Sequence, residues 1–399
     1  MGPEQLRSAR WDITLVFFVH GAVYANWVPR IPLIKRELGL GDGSLGLALL
    51  GAPVGVVLAV RAASWTTARW GSRAVTRGAS LATCASLVPI GVAWNLGSLM
   101  AALLVMGASL GLMDVAMNAQ GVVVERGYKR PIMSSLHGSY SVGALVGALA
   151  GSGAAHFAVR PVAHFAVASA VLGTVVWFGS RRLLRDDGEL SQDQPSGGGG
   201  RLFRGYAAVM LLGVVGLCSF VGEGAVADWS AVYLREDLSV SAGQAGLGYA
   251  GCAIAMAVGR LSGDRLVARF GPVTVLRVGA LVAGLGLGLG LLARNQPVAI
   301  AGFTLFGLGI APVAPITFSA AGNLPDVPSA TAISRVTGIG YLGFLAGPPL
   351  IGLVAEVAGL GWALVIPAGL AAVMVLLAGA TAPARAGSED GAGEAACER

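Results

Sequence analysis

Asp114 follows a run from Gly78 to Met113 that has no charged side chain, so it stands alone as a carboxylate deep in apolar sequence. Asp114, Asn118, Gly121 and Glu125 fall at i, i+4, i+7 and i+11, one helical stripe that continues back through Gly111 and Gly107. A carboxylate so placed can take up and release a proton as its surroundings change. The alternative is a buried group tied to a neighbouring Asn or Arg. Ser134, His137 and Ser141 make a second polar stripe, suited to hydrogen-bonding hydroxyls, to sharing a proton with Asp114, or to a satisfied core position. Asn26 and Arg30 lie at i and i+4 beside Trp27, and Glu223 and Asp228 flank Gly224 beside Trp229. These predict a substrate cavity or outer gate, or an ion pair from Arg30 to Asp228 or Glu223. Tyr341, one turn from Thr337 and close to Pro348-Pro349, offers a hydroxyl to the same cavity or packs in the core. The expected proton-coupling set is Asp114, Glu223 and Asp228. The expected substrate contacts are Asn26, Trp27, Arg30, Asn118, His137 and Tyr341.

The elements that position these residues are membrane spans. Of 399 residues, 55% are hydrophobic and 12% charged, about half the charge of a soluble domain. With ~20 apolar residues per crossing the chain supplies about twelve spans. They run roughly over 12–34, 44–66, 74–94, 98–123, 132–155, 162–180, 206–230, 244–263, 278–293, 298–321, 332–355 and 362–380. The net charge of +6 is not a nucleic-acid footprint, because most of the 27 Lys and Arg fall on the side of the N-terminus. They include Arg7, Arg10, Arg69, Arg73, Arg77, Arg181, Arg182, Arg269 and Arg277, whereas Arg30, Lys35, Arg160 and Arg294 fall opposite. The positive-inside rule then predicts a multi-pass protein of the cytoplasmic membrane with both termini cytoplasmic, the bilayer as partner and no nucleic acid.

An internal repeat at an offset of 200 residues organises the chain. Leu38, Gly43, Gly46, Leu47 and Gly51 recur as Leu238, Gly243, Gly246, Leu247 and Gly251. Ala68-Arg69-Trp70-Gly71 recurs as Ala268-Arg269-Phe270-Gly271, and Gly107, Gly138, Gly143 and Gly147 as Gly307, Gly338, Gly343 and Gly347. Six spans per half put the halves in the membrane in the same orientation. The predicted fold is all-α: twelve transmembrane helices as two parallel-repeat six-helix bundles. Residues 1–180 form the first bundle and 205–382 the second. Between them 181–204, with Asp186-Asp187 and Gly197 to Gly200, makes a cytoplasmic linker, and 383–399 a disordered tail.

Enzyme patterns fall away in this setting. Gly41-Asp-Gly43-Ser-Leu-Gly46 and Gly338-Ile-Gly340-Tyr-Leu-Gly343 fit a dinucleotide fingerprint without the strand it requires, and Gly107-Ala-Ser109-Leu-Gly111 fits a nucleophile elbow inside a span. No Walker A loop accompanies Lys35 or Lys129, so uphill movement must draw on an ion gradient or a separate ATPase. Cys84, Cys218, Cys252 and Cys397 show no ligand spacing; neither metal, cofactor nor disulfide is expected. Pro312, Pro315, Pro348 and Pro349 are expected to bend or break the tenth and eleventh spans.

Ala68 to Arg73 after the second span, and Gly259-Arg260 through Asp264-Arg265 to Gly271 after the eighth, resemble the loop signature of the major facilitator superfamily. Asp114-Val-Ala-Met-Asn118, Ser135 to Gly143, Glu223 to Trp229 and Gly340 to Pro349 resemble a bacterial branch related to fucose:proton symporters. The resemblance implies alternating access by rocking of two bundles, with an acidic residue of the fourth span, here Asp114, binding the proton. Fucose-type relatives also use an Asp on the first span, where this chain has Asn26. Arg69, Arg73 and Arg269 are the implied cytoplasmic gate. Ala68 stands at the loop's acidic position, so Asp264 and Arg335 are the expected replacement lock. The expectation is a non-enzymatic, monomeric secondary transporter of a small polar solute, with sugars as one class, coupled to protons. The alternative is a proton-driven exporter of a drug or secondary metabolite.

Overall fold

The structure, a computed structural model, describes residues 3–128, 132–184, 202–324, 327 and 329–382. Most of the predicted linker (185–201) and the whole predicted tail (383–399) lie outside the described residues.

The described helices line up as twelve crossings. The first is α1 (Pro3–Trp27), continued through a 3-10 turn (Val28–Arg30) into α2 (Ile31–Glu37). The second starts in α3 (Asp42–Leu49) and continues into α4 (Gly51–Ala85), which turns back at Gly71 and so supplies the third with α5 (Leu87–Gly91). Then come α6 (Leu96–Tyr128), α7 (Met133–His156) and α8 (Pro161–Gly179). In the second half α9 (Leu202–Glu236), α10 with α11 (Ala242–Ala245, Leu247–Phe270) and α12 (Pro272–Leu292) are the seventh to ninth crossings. The tenth joins α13 (Gln296–Ile310) to α14 (Val313–Gly322), the eleventh is α15 (Ser329–Ala358), and the twelfth combines α16 (Leu360–Ala363) and α17 (Val365–Leu377). Among the described residues, eight helical segments are long and apolar enough to cross a bilayer by length and composition. The first, third, fifth and eighth crossings carry charge, share a helix or are built of Gly, Ala and Ser, so they need packing partners rather than lipid on every side.

The 200-residue repeat is a structural one. Gly71 and Gly271 take φ of 76° and 77°, a left-handed geometry that suits glycine and reverses the chain between the second and third and between the eighth and ninth crossings. Within each half the same glycines let backbones touch. A Cβ on Gly107 would sit 1.9 Å from the Ala52 carbonyl oxygen, and one on Gly307 2.5 Å from that of Cys252, the same pair displaced by 200 residues. Gly143 lies against Phe18 and Gly343 against Leu217, binding fifth to first and eleventh to seventh crossings. The prolines act unequally. The tenth crossing breaks at Ala311-Pro312, whereas α15 stays helical through Pro348 and Pro349.

The halves meet mainly at one end. We call the face carrying Gly71 and Gly271 the basic face and the opposite one the far face. At the far face α3 packs on α15, α10 and the upper part of α11 pack on α7, and α2 packs on α9. Toward the basic face Gly138 on α7 and Gly338 on α15 each face open space.

Candidate functional site

Between the halves lies a cavity of about 290 Å³, lined by crossings one, two, four and five from one half and seven, eight and eleven from the other. The first crossing presents His20, Tyr24 and Trp27, spaced i, i+4 and i+7 on one helical face. The fourth presents Gly107, Leu110, Gly111 and Asp114, and the fifth Tyr140 and Ser141. Facing them are Glu223, Gly224 and Asp228 of α9, Tyr249 and Arg260 of α11, and Tyr341 and Phe344 of α15. Val56, Met106 and Met256 make much of the remaining wall apolar.

Polar contacts fix the ionisable groups. Asn118 Nδ2 donates to the Asp114 carbonyl oxygen at 2.8 Å and to Asp114 Oδ1 at 3.2 Å, so Asn118 holds the carboxylate from one turn away without lining the cavity. The hydroxyl of Tyr24 donates to Asp228 Oδ1 at 3.1 Å, crossing from one half to the other. Arg260 pairs with Glu223 at 3.5 Å. His20 Nε2 lies 3.3 Å from the Leu110 carbonyl oxygen, while Nδ1 is buried without a partner. The Tyr24 and Tyr249 rings meet edge to face, with centroids 6.5 Å apart.

The far end of the cavity is sealed by a second set of contacts that obeys the same pseudo-symmetry. Lys35, its side chain 8% exposed, places its ammonium 2.6 Å from Asp42 Oδ1 and against Glu236 Oε2 of the other half. Glu356 accepts from the Gly43 N–H at 2.8 Å, bringing a carboxylate of the second half to the N-terminus of α3, where the helix dipole favours it. Gly46 approaches Gly352 backbone to backbone, while Gly246 closes on Ser152 and Gly243 on His156. Residues 43, 46, 352 and 356 thus have counterparts at 243, 246, 152 and 156, and the repeated glycines are the places where the halves touch.

Asp114, Glu223, Asp228, Trp27 and Tyr341 all line the cavity. Asn26 turns away: its amide donates to the Ala22 carbonyl oxygen at 2.7 Å and its Oδ1 lies 3.0 Å from His164 Nε2. Arg30 is fully buried and donates to the Val159 carbonyl oxygen, so the expected pair with Asp228 or Glu223 is not formed. Position 26 lies about a third of a turn from the face of 20, 24 and 27, so its side chain packs within its own half while theirs enter the cavity. His137 is exposed and sets its ring edge-on to Phe17 at 5.2 Å. Glu125 accepts from the N–H groups of Ile132 and Met133 at 2.7 and 3.0 Å, starting α7 rather than extending the Asp114 stripe into the cavity.

Of the residues expected at the basic face, Arg69 and Arg269 are exposed beside the two chain reversals, and Arg269 stacks on Phe270. Arg73 donates to the Arg181 carbonyl oxygen within its own half. Arg335 is half-buried on α15, and the side chain of Asp264 lies outside the described residues. Sequence reasoning missed His20, Tyr24, Tyr140, Tyr249 and the partners of Lys35. The spacing of His20, Tyr24 and Trp27 was the signal available for the first two.

The sequence profile of the Major Facilitator Superfamily matches residues 211–395. The chain is 40% identical over 379 residues to an uncharacterized MFS-type transporter of Yersinia pestis, covering 94% of this chain and 96% of that one. Among solved structures, a point mutant of the nucleoside transporter NupG superposes with a TM-score of 0.76 at 10% identity, covering 93% of this chain and 98% of that one. A point mutant of the E. coli fucose:proton symporter FucP does so with a TM-score of 0.60 at 16% identity, over 93% and 98%. These two share the fold. With the repeat, the twelve crossings and the full-length likeness to the Yersinia protein, the chain belongs to the major facilitator superfamily of membrane transporters.

Proposed function

We propose that the protein is a proton-coupled secondary transporter that moves a small polar solute by alternating access. The observation that carries this reading is the cavity between the halves: it gathers Asp114, Glu223, Asp228 and Arg260, and is closed at one end by contacts that only a relative motion of the halves can open. Asp114 is the principal proton carrier, with Glu223 and Asp228 sharing the charge of the cavity. Trp27 and Tyr341 contact the solute, while Asn118 and His137 support the carboxylate and the cavity's entrance. Asn26 and Arg30 serve the rigidity of the first half. Residues 1–180 and 205–382 are the rocking bundles, joined by 181–204, with 383–399 as a tail.

By the positive-inside rule the basic face is cytoplasmic, which puts both termini inside and makes this conformation inward-open in the inner membrane. Arg69, Arg73, Asp264, Arg269 and Arg335 then meet at the cytoplasmic end when the halves rock the other way. The protein acts as a monomer. A nucleoside and a fucose carrier of the same fold favour a sugar-like solute. The apolar wall of Val56, Met106, Met256 and Phe344 favours a second reading, proton-driven export of a drug or secondary metabolite.

Reconstituted vesicles with and without an imposed pH gradient, screened across sugars, nucleosides and amphiphilic drugs, test both. A pH gradient should drive accumulation of one class, and Asp114→Asn should abolish that drive. Accumulation that ignores the gradient and survives Asp114→Asn would overturn the coupling.

A further inference from the structure

The charge of the cavity, taken together with its rings, points to the class of solute, and this step rests on the transport reading above. Its ionisable lining comprises three carboxylates, Asp114, Glu223 and Asp228, against one permanent cation, Arg260. Arg260 is engaged by Glu223 at 3.5 Å. Asp114 and Asp228 form no ion pair among the described residues; each oxygen engaged accepts from a neutral donor, Asn118 Nδ2 at 3.2 Å or the Tyr24 hydroxyl at 3.1 Å. In its neutral form His20 adds a further acceptor: the proton on Nε2 then faces the Leu110 carbonyl oxygen, and Nδ1, buried without a partner, keeps its lone pair.

Asp228 is 8% exposed and accepts from the Tyr24 hydroxyl, whose ring meets that of Tyr249. Ring faces attract cations most when water is excluded. An anionic solute would meet the uncompensated Asp228 away from water, and a neutral one would leave it without a counter-charge; a cation supplies that charge. The apolar wall of Val56, Leu110, Met256 and Phe344 suits a carbon frame behind the charge.

We propose that the transported solute is an organic cation, a protonated amine whose ammonium group pairs with Asp228 beside Tyr24 and Tyr249, its carbon frame lying along the apolar wall toward Asp114.

Isothermal titration of the purified full chain in detergent tests this with two matched trios: 2-phenylethylamine, 2-phenylethanol and 3-phenylpropionate, and glucosamine, glucose and glucuronate. At least one amine should bind ~10-fold or more tightly than its neutral twin, a factor equal to about 1.4 kcal/mol, with the anion weakest. Asp228→Asn should erase that preference, and Asp228→Glu should keep it. Failure of both amines to bind more tightly than their twins, or a preference that survives Asp228→Asn, overturns the proposal. Should Asp228→Asn not fold, Tyr249→Leu serves instead: it should weaken the amine more than its twin, and equal weakening overturns the assignment. Proton exchange recorded in the same titrations separates this claim from coupling. Amine preference without proton exchange keeps the solute class and removes the coupling. Proton-coupled binding of a neutral or anionic member does the reverse.

Discussion

Replacing Lys35 by Gln should release the far face. In the structure its ammonium lies between Asp42 of its own half and Glu236 of the other, with side-chain exposures of 8%, 20% and 38%. Exposed ion pairs are worth ~0–1 kcal/mol and breaking a buried one costs ~3–5 kcal/mol. With a buried lysine but a partly solvated Glu236, we take about 2 kcal/mol for the cross-half component. That would move the ratio of closed to open far face by roughly 30-fold, since ~1.4 kcal/mol is a factor of ten. Spin labels at Phe157→Cys and Leu292→Cys, exposed far-face positions in different halves, report the separation by double electron–electron resonance in a Cys397→Ser background; Cys84, Cys218 and Cys252 are buried. The distance distribution should gain a longer component in Lys35→Gln and in Glu236→Gln. The double variant should add little, because both remove one interaction. Asp42→Asn, acting within one half, should shift it less. An unchanged distribution in both Lys35→Gln and Glu236→Gln, with the melting temperature retained, would refute the latch.

Other expectations are local. Gly107→Ala puts a Cβ 1.9 Å from the Ala52 carbonyl oxygen and forces crossings two and four apart; a loss of ~1–3 kcal/mol should appear as lower melting temperature, whereas Gly138→Ala, facing open space, should be near neutral. Glu125→Ala strips two N–H partners from the start of α7 and should cost about 1 kcal/mol in the same assay. Arg30→Met removes a fully buried guanidinium whose Nε and Nη1 have no partner, and should be tolerated better in thermal unfolding than Asn26→Leu, which leaves His164 Nε2 without its acceptor or donor.

Hydropathy and the 200-residue offset made the crossings legible because both follow from composition and spacing. Gly71 and Gly271 could be placed at matching turns, and Asp114 on an inward stripe, for the same reason. The role of the repeated glycines was not legible: Gly43, Gly46, Gly243 and Gly246 serve contacts between halves, which depend on where the other half rests. Arg30 and Asn26 misled because a polar residue within a span has two interiors to choose from, the cavity between halves and the core of its own half. Only the rotation of α1 about its axis decides, and that rotation is fixed by Gly143 and Gly147 pressing on Phe18 and Ala22. Lys35 looked like an outer-side charge because Glu236 is 201 positions away in sequence.

The most direct test of the account is the number of protons exchanged when a solute binds, read with a pH-sensitive dye on weakly buffered protein in micelles. The account predicts that binding displaces or takes up protons, and that Asp114→Asn binds solute with that exchange lost. Binding with no proton exchange, or exchange unchanged in Asp114→Asn, Glu223→Gln and Asp228→Asn alike, would contradict it.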